Sequence, residues 1–357
     1  MAKVIIHVGS HKTGTTVLQS VLASNRSALK ARGVYYPETF RFMGDKRSTE
    51  VSTMAHFELP KALGIYGLRE REELARFRQH LLDVRQEYSK IVFSAETFYR
   101  MLPNKANLTS SESAVAKNTR GLRSVIFARL AAFLEGFDAE ILVYFRRPDS
   151  FAESMYSEGI VNGKSTRSFE EFQSFQKFRF DYGAQLATFK EYFPVRSFVF
   201  EEKVKGGLLE NNFADLDIGS PFTHDSAMER RAVPKRATLW LRRCKLAAAI
   251  KKRGFNQRKL FAYLPEHRAY FGGENRYSFW ESTQARDAFT ERALRNAPEL
   301  VFPAAPPTVP PLCAWTPADH QAAEDAFHDW RQREQDWIKE RRKNRILPFM
   351  VDPVDDV

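Results

Sequence analysis

Two cysteines, Cys244 and Cys313, are the whole thiol content of this 357-residue chain. That excludes a disulfide-stapled scaffold, which needs several pairs, and the two lack metal-ligand spacing. Long apolar runs are missing as well. No stretch approaches the roughly 18 apolar residues that a bilayer-crossing helix needs. The first apolar run, Val4 to Gly9, is too short for a secretory leader and no small-residue cleavage site follows it. We therefore expect a soluble, cytoplasmic chain with reduced thiols. Internal repeats and low-complexity tracts are absent. What is present is a hydrophobic fraction of 43%, enough for a sizeable core, beside an ordinary 28% of charged residues. The length fits one large α/β domain or a domain with an appended part.

The net charge of +11 sits in one place. Between Glu229 and Lys259 there are 12 Lys or Arg residues and one acid, leaving 43 basic and 43 acidic residues elsewhere. Such a patch attracts phosphate-rich or anionic-polymer partners, a membrane surface included, unless it is simply a solvated basic face. Nucleic acid is not the expected partner, because no zinc-finger, RRM or basic-zipper pattern accompanies the charge.

Along the chain, short apolar runs alternate with helical periodicity. Lys3–Val8 reads as a buried parallel strand running into a tight turn at Gly9 and Ser10. Thr15 to Arg32 carries Val17, Leu18, Val21, Leu22 and Leu29 at helical spacing, and Gly33 stops it. Further strands are expected at Val34–Tyr36, Ile91–Ser94, Glu140–Phe145 and Arg196–Phe200, and further helices at Glu70–Tyr88, Leu122–Leu134 and Phe169–Phe193. Pro148 suits the first turn of another helix, where its missing N–H is not needed. The alternation predicts a three-layer α/β fold with a parallel central sheet over residues 1–205. Residues 206–297 read as mostly helical, completing that domain with the basic segment and an acceptor region. Residues 298–317, with seven prolines, read as an extended linker. Residues 318–357 read as a charged helix and tail, capped by Thr316 and running to about Asn344. Phe327, Trp330, Trp337 and Ile338 on that helix would dock on the protein body or form a homodimer contact.

The most specific pattern is Gly9-Ser10-His11-Lys12-Thr13-Gly14-Thr15-Thr16 between the first strand and the first helix. Glycines in a strand–loop–helix expose backbone N–H groups at a helix N-terminus, where they cradle phosphate oxygens. Lys12 adds a mobile positive charge, and Thr15 and Thr16 add hydroxyls. In the nucleotide-kinase loop the lysine directly follows the second glycine and a Ser or Thr on magnesium follows it. Here Thr15 follows Gly14 and the lysine precedes that glycine by two places.

Lys-Thr-Gly-Thr-Thr after an N-terminal strand resembles the 5′-phosphosulfate loop of the sulfotransferases that use phosphoadenosine phosphosulfate (PAPS), and its form looks like their bacterial and glycan-modifying members. A second match is Arg146 at the end of Glu140–Phe145, with Ser154 eight residues on in the next helix. In that family this pair holds the donor's 3′-phosphate; Arg147 and Ser150 are neighbouring alternatives. A guanidinium suits two phosphate oxygens and a hydroxyl supplies a third bond. The resemblance covers about residues 1–200. It implies PAPS as donor, binding through Lys12, Thr13, Gly14, Thr15, Thr16, Arg146 and Ser154, with no metal. It departs at Val17, where relatives that sulfate small phenols carry a tryptophan against adenine. Their late Arg-Lys-Gly loop has only a faint echo in Lys252-Arg253-Gly254, with Arg230-Arg231 as a competitor.

Sulfuryl transfer needs charge neutralisation at the leaving oxygen, a role for Lys12, and a base for the acceptor hydroxyl. Ile91–Ser94 leads into Glu96, and a parallel strand's C-terminal end faces the cleft, so Glu96 is the first choice. His56, His11 and His7 are its rivals. The expected acceptor is a glycan or glycolipid, with Phe271, Tyr277, Phe279 and Trp280 available for stacking on sugar rings or for the core. Two other functions stay in view: a P-loop phosphotransferase, and a non-catalytic module for nucleotide or anionic polymer.

Overall fold

In the computed structural model the described residues are 2–10, 13–38, 55–162, 165–219, 235, 237–242, 277–310, 316–318 and part of 321–340. They divide into two compact units. The first comprises Met1–Met155, Glu170–Arg231 and Gln284–Pro307, and the second Tyr156–Phe169, Ala232–Thr283 and Thr308–Val357.

The first unit is a three-layer α/β structure around a five-stranded, all-parallel sheet, as the alternation predicts. Its strands are β1 (Lys3–Gly9), β2 (Val34–Tyr35), β3 (Lys90–Ser94), β4 (Asp138–Phe145) and β5 (Val195–Val199), in the order β2-β3-β1-β4-β5. β1 lies at the centre, with Gly9 opposite Tyr144 of β4 and His7 opposite Ser94 of β3. Because residues of a strand alternate between faces, the buried run Val4–Val8 supplies both. Ile5, Val92, Leu142 and Tyr144 face one way, onto Leu18 and Leu22 of helix Thr15–Ser24 and Phe213 and Leu216 of helix Leu208–Leu216. Phe93 and Phe145 face the other way, onto Phe77 of helix Leu68–Val84 and Tyr182 of helix Tyr182–Tyr192. On that side helix Thr119–Phe133 meets helix Tyr182–Tyr192 through Phe127 and Phe189, whose ring centroids are 5.0 Å apart.

Two of the predicted helices are broken. The run from Thr15 splits at Asn25, which leaves helical geometry (φ −109°, ψ 22°) and turns its side-chain Nδ2 onto the Val21 carbonyl at 2.8 Å. A short amide competing with the backbone is what interrupts the helix. Phe169–Phe193 splits into Phe169–Phe175, Lys177–Phe180 and Tyr182–Tyr192, because Asp181 caps the third segment by accepting the Ala184 N–H at 2.9 Å. β5 ends one residue early, and Phe200 opens the helix Phe200–Lys205. Helix Glu58–Ile65 and helix Ser110–Val115, the latter with a Thr109/Glu112 capping box, are not among the expected elements.

At the amino edge of the sheet, Glu140 joins three strands: Lys3 Nζ of β1 lies 2.9 Å from one carboxylate oxygen, and Arg196 of β5 donates to the other at 2.5 and 3.1 Å. Residues 298–307 pack within the same unit, with Phe302 against Tyr182 and Pro306 O accepting from Arg286 at 2.7 Å.

In the second unit, Tyr156, Phe169, Phe279 and Trp280 form an aromatic cluster with centroid spacings of 4.9 to 5.5 Å. Phe279 and Trp280 are buried. They belong to that unit's core and are not sugar platforms. Tyr277 is half-buried, and Phe271 lies outside the described residues. The described residues among 317–340 are helical and exposed, while Phe327, Trp330, Trp337 and Ile338 lie outside them. Among the described residues no helix is long and apolar enough to cross a membrane.

Candidate active site at the carboxyl edge of the sheet

Three adjacent strands, β3, β1 and β4, deliver the candidate residues to one edge. β1 leads into the loop from Gly9 to Thr16. Its pairing with β4 runs on through Ser10 N–H to Tyr144 O at 3.0 Å, and that with β3 through Ala95 N–H to His7 O at 3.1 Å. Glu96 and Arg146 therefore flank the loop from either side. After β1 the chain crosses towards β2 and β3, and after β4 it goes to β5 on the other side. Connections departing in opposite directions leave a crevice at the carboxyl ends, where α/β proteins bind ligands.

The loop is shaped by close contacts. A Cβ at Gly9 would lie 2.1 Å from Thr15 Cγ2, so only glycine fits. Gly14 adopts left-handed φ 71° and caps helix Thr15–Ser24, its carbonyl accepting the Val17 N–H at 3.1 Å. Thr13 Oγ1 donates to Ser10 O at 2.7 Å, closing the loop on itself. Ser10 is fully buried and its hydroxyl has no hydrogen-bond partner among the described residues. An orphaned hydroxyl in a glycine-shaped loop at a helix N-terminus fits an anionic, oxygen-bearing ligand. Thr16 and Val17 are half-buried. Lys12 and His11 lie outside the described residues, as do Arg230, Arg231, Lys252, Arg253 and Gly254, and all of 229–259 except 235 and 237–242.

Glu96 opens a 3-10 turn, Glu96–Tyr99, two residues past the end of β3. Its Oε2 accepts the Thr15 hydroxyl at 2.9 Å. The candidate base is thus tied to the loop by a contact between residues 81 positions apart. Of its rivals, the two that are described, His56 and His7, differ sharply from it. His56 is buried; its Nδ1 accepts the Ser94 N–H at 3.0 Å and its Nε2 donates to Pro37 O at 3.0 Å. Burial pushes its pKa down to about 4. His7 is also buried, with Nδ1 2.8 Å from Ser94 Oγ, and burial holds it at about 4 as well.

On the other side of the loop, Arg147 is committed: its guanidinium forms two contacts to Asp149, at 2.6 and 3.1 Å. Arg146 is half-buried, its Nε 3.3 Å from Ser150 Oγ and its Cζ 5.7 Å from the centre of the Phe200 ring. Burial lowers its pKa, and the nearby Glu201 carboxylate opposes that shift. Ser154, half-buried, lies one turn beyond Ser150 on the same face of helix Pro148–Val161. Two side chains fix the segment without any signal in the local pattern. Tyr182 OH donates to Arg146 O at 2.6 Å, and Glu201 accepts the Arg147 N–H at 2.9 Å. The one hint of Glu201 is its place just beyond β5, matching that of Glu96 beyond β3. Among the described residues no three His, Cys, Asp or Glu side chains gather as a metal-ligand set.

Fold and site together define an α/β protein with a glycine-shaped loop at the switch point of a parallel sheet. No family model matches the chain, and no curated protein does. Among solved structures it is similar to a sulfotransferase from Alicyclobacillus acidocaldarius, at 19% identity over 70% of this chain and 96% of that one, with a TM-score of 0.37. That likeness is too low to bear on function.

Proposed function

We propose that the chain is a PAPS-dependent sulfotransferase acting on a hydroxyl of a glycan or glycolipid. One observation carries the reading: the loop of the Lys-Thr-Gly-Thr-Thr type, a carboxylate and an arginine leave the carboxyl ends of three neighbouring parallel strands. Thr13, Gly14, Thr15, Thr16 and Lys12 hold the donor's 5′-phosphosulfate, and Arg146 with Ser154 holds its 3′-phosphate. As the acceptor oxygen attacks sulfur in line, the bond from sulfur to the departing phosphate breaks. Lys12 neutralises the charge that builds on that phosphate oxygen. Glu96 takes the acceptor's proton, its carboxylate oriented by the Thr15 hydroxyl. His56 does not suit the role of base, because its one lone pair is spent on the Ser94 N–H.

The Thr15–Glu96 contact also bears on the kinase alternative. In a magnesium-binding loop the metal's hydroxyl would belong to Thr16, and the lysine would stand at Thr15. The test is calorimetric titration with adenosine 3′,5′-bisphosphate and with ATP, together with transfer from labelled PAPS to a panel of glycans, glycolipids and phenols, with and without EDTA. Tight bisphosphate binding and EDTA-insensitive transfer are expected. Preference for ATP with magnesium would overturn the assignment in favour of a phosphotransferase. Binding without transfer to any acceptor would favour a non-catalytic module.

A further inference from the structure

The short turn that carries Glu96 is held at both ends by buried side chains that the chemistry above leaves without a role. Upstream, every polar group of Ser94 is engaged. Its N–H donates to His56 Nδ1 at 3.0 Å, and its carbonyl accepts the His56 backbone N–H at 2.9 Å. Its Oγ accepts from Gln19 Nε2 at 3.1 Å and lies 2.8 Å from His7 Nδ1. The carbonyl of Pro37 can only accept, so the His56 proton sits on Nε2 and the ring is fixed as a neutral brace. Downstream, Arg123 donates to the Tyr99 carbonyl at 2.8 Å and, more weakly, to that of Phe98 at 3.4 Å. Its Cζ lies 5.5 and 5.7 Å from the ring centres of Phe127 and Phe189.

Arg123 is 3% exposed, and among the described residues it has no carboxylate partner. Burial depresses its pKa to about 10. A buried guanidinium is expensive to desolvate, and carbonyls of one 3-10 turn return less than an ion pair would. The place of the expense is informative. Both devices grip the peptide within two or three residues of Glu96, one on each side.

We infer that His56 and Arg123 are positioning residues that hold the Glu96 turn, keeping its carboxylate on Thr15 and aimed at the acceptor. This rests on the reading of Glu96 as the base. A fixed turn matters because a displacement of about 1 Å can lower a rate by ~100-fold.

The experiment is a double-mutant cycle with labelled PAPS and the best acceptor of the panel above. Arg123→Met is made in the wild-type and Glu96→Gln backgrounds, with Arg123→Lys as the conservative variant. We expect Arg123→Met to lower kcat about tenfold or more with donor KM within about twofold. Arg123→Lys should recover part of the loss, and Arg123→Met should lower the residual rate of Glu96→Gln no further, because a residue acting through Glu96 has nothing left to act on. An equal fall in both backgrounds, or no fall in either, would overturn the inference and leave the base assignment standing. Wild-type turnover in Glu96→Gln alone would overturn the base assignment, and this inference with it. Should Arg123→Met fail to fold, His56→Asn, whose amide oxygen can still accept the Ser94 N–H, takes its place in the same cycle with the same outcomes.

Discussion

Replacing Gly9 with alanine probes the loop through one contact. The added methyl would lie 2.1 Å from Thr15 Cγ2 and 2.8 Å from Thr13 Oγ1, where carbon contacts are ordinarily about 3.5–4.0 Å. Thr15 is buried and β-branched, so its rotamer is stiff. If it rotates to make room, its hydroxyl leaves Glu96 and a charge-assisted bond worth about 1.5–3 kcal/mol is lost. If it stays, the end of β1 must shift, an overpacking strain of about 1–3 kcal/mol. By either route Gly9→Ala should lose roughly 2 kcal/mol of stability in urea unfolding. It should also bind adenosine 3′,5′-bisphosphate at least about tenfold more weakly, the equivalent of ~1.4 kcal/mol. Thr15→Ser removes the clashing methyl and keeps the hydroxyl, so the double variant should recover part of both losses. A Gly9→Ala protein that unfolds and binds as wild type does, or a double variant no better than the single, would refute the argument.

Three further outcomes are expected. Lys12→Ala should reduce turnover about 10²–10³-fold, the usual loss when a donor to developing negative charge is removed, with an unchanged melting curve; turnover near wild type would remove Lys12 from the reaction. Arg146→Ala should weaken adenosine 3′,5′-bisphosphate far more than adenosine 5′-phosphate in competition binding, whereas Arg147→Ala, already paired with Asp149, should affect both alike; equal losses for Arg146→Ala would sink the 3′-phosphate assignment. Glu140 bears on acid stability. Burial pushes its carboxyl up, but hydrogen bonds from Lys3 and Arg196 outweigh this and leave it below the usual carboxylate range. A depressed folded-state pKa means stability that is present above the unfolded pKa and lost as pH falls through the folded one. Glu140→Gln should therefore lower the melting temperature at neutral pH by an amount that shrinks towards pH 3, since Lys3 and Arg196 are some 40% exposed and solvent limits the pair to about 1 kcal/mol. An equal loss at both pH values would show that the charge is not what matters there.

The sheet was legible because a parallel strand buried on both faces writes a continuous apolar run, and Val4–Val8 and Ile141–Phe145 do so. The loop was legible because its glycines and lysine lie within eight residues. The breaks at Asn25 and Asp181 were not, since the apolar spacing continues across both and only the side chain's choice of backbone partner ends the helix. Nor did the pattern separate Glu96 from His56. Both lie beside β3, and the difference is that one is hydrogen-bonded to the loop while the other has both ring nitrogens engaged in the interior. Contacts such as Ser94 with His7 and Gln19, or Arg123 with Tyr99, join residues far apart in the chain and leave no periodic trace.

The clasp of Lys3, Glu140 and Arg196 sits at one end of the strands and the candidate chemistry at the other. The seven residues of β1 put about 20 Å between them at ~3.3 Å per residue. Substitutions that far apart without shared partners combine additively, so robustness and the candidate chemistry are separately adjustable in this protein. An apolar trio in place of the clasp would give a fold less sensitive to acid while leaving the loop, Glu96 and Arg146 as they are. The amino edge is therefore the natural handle for selecting sturdier variants to use in the search for an acceptor.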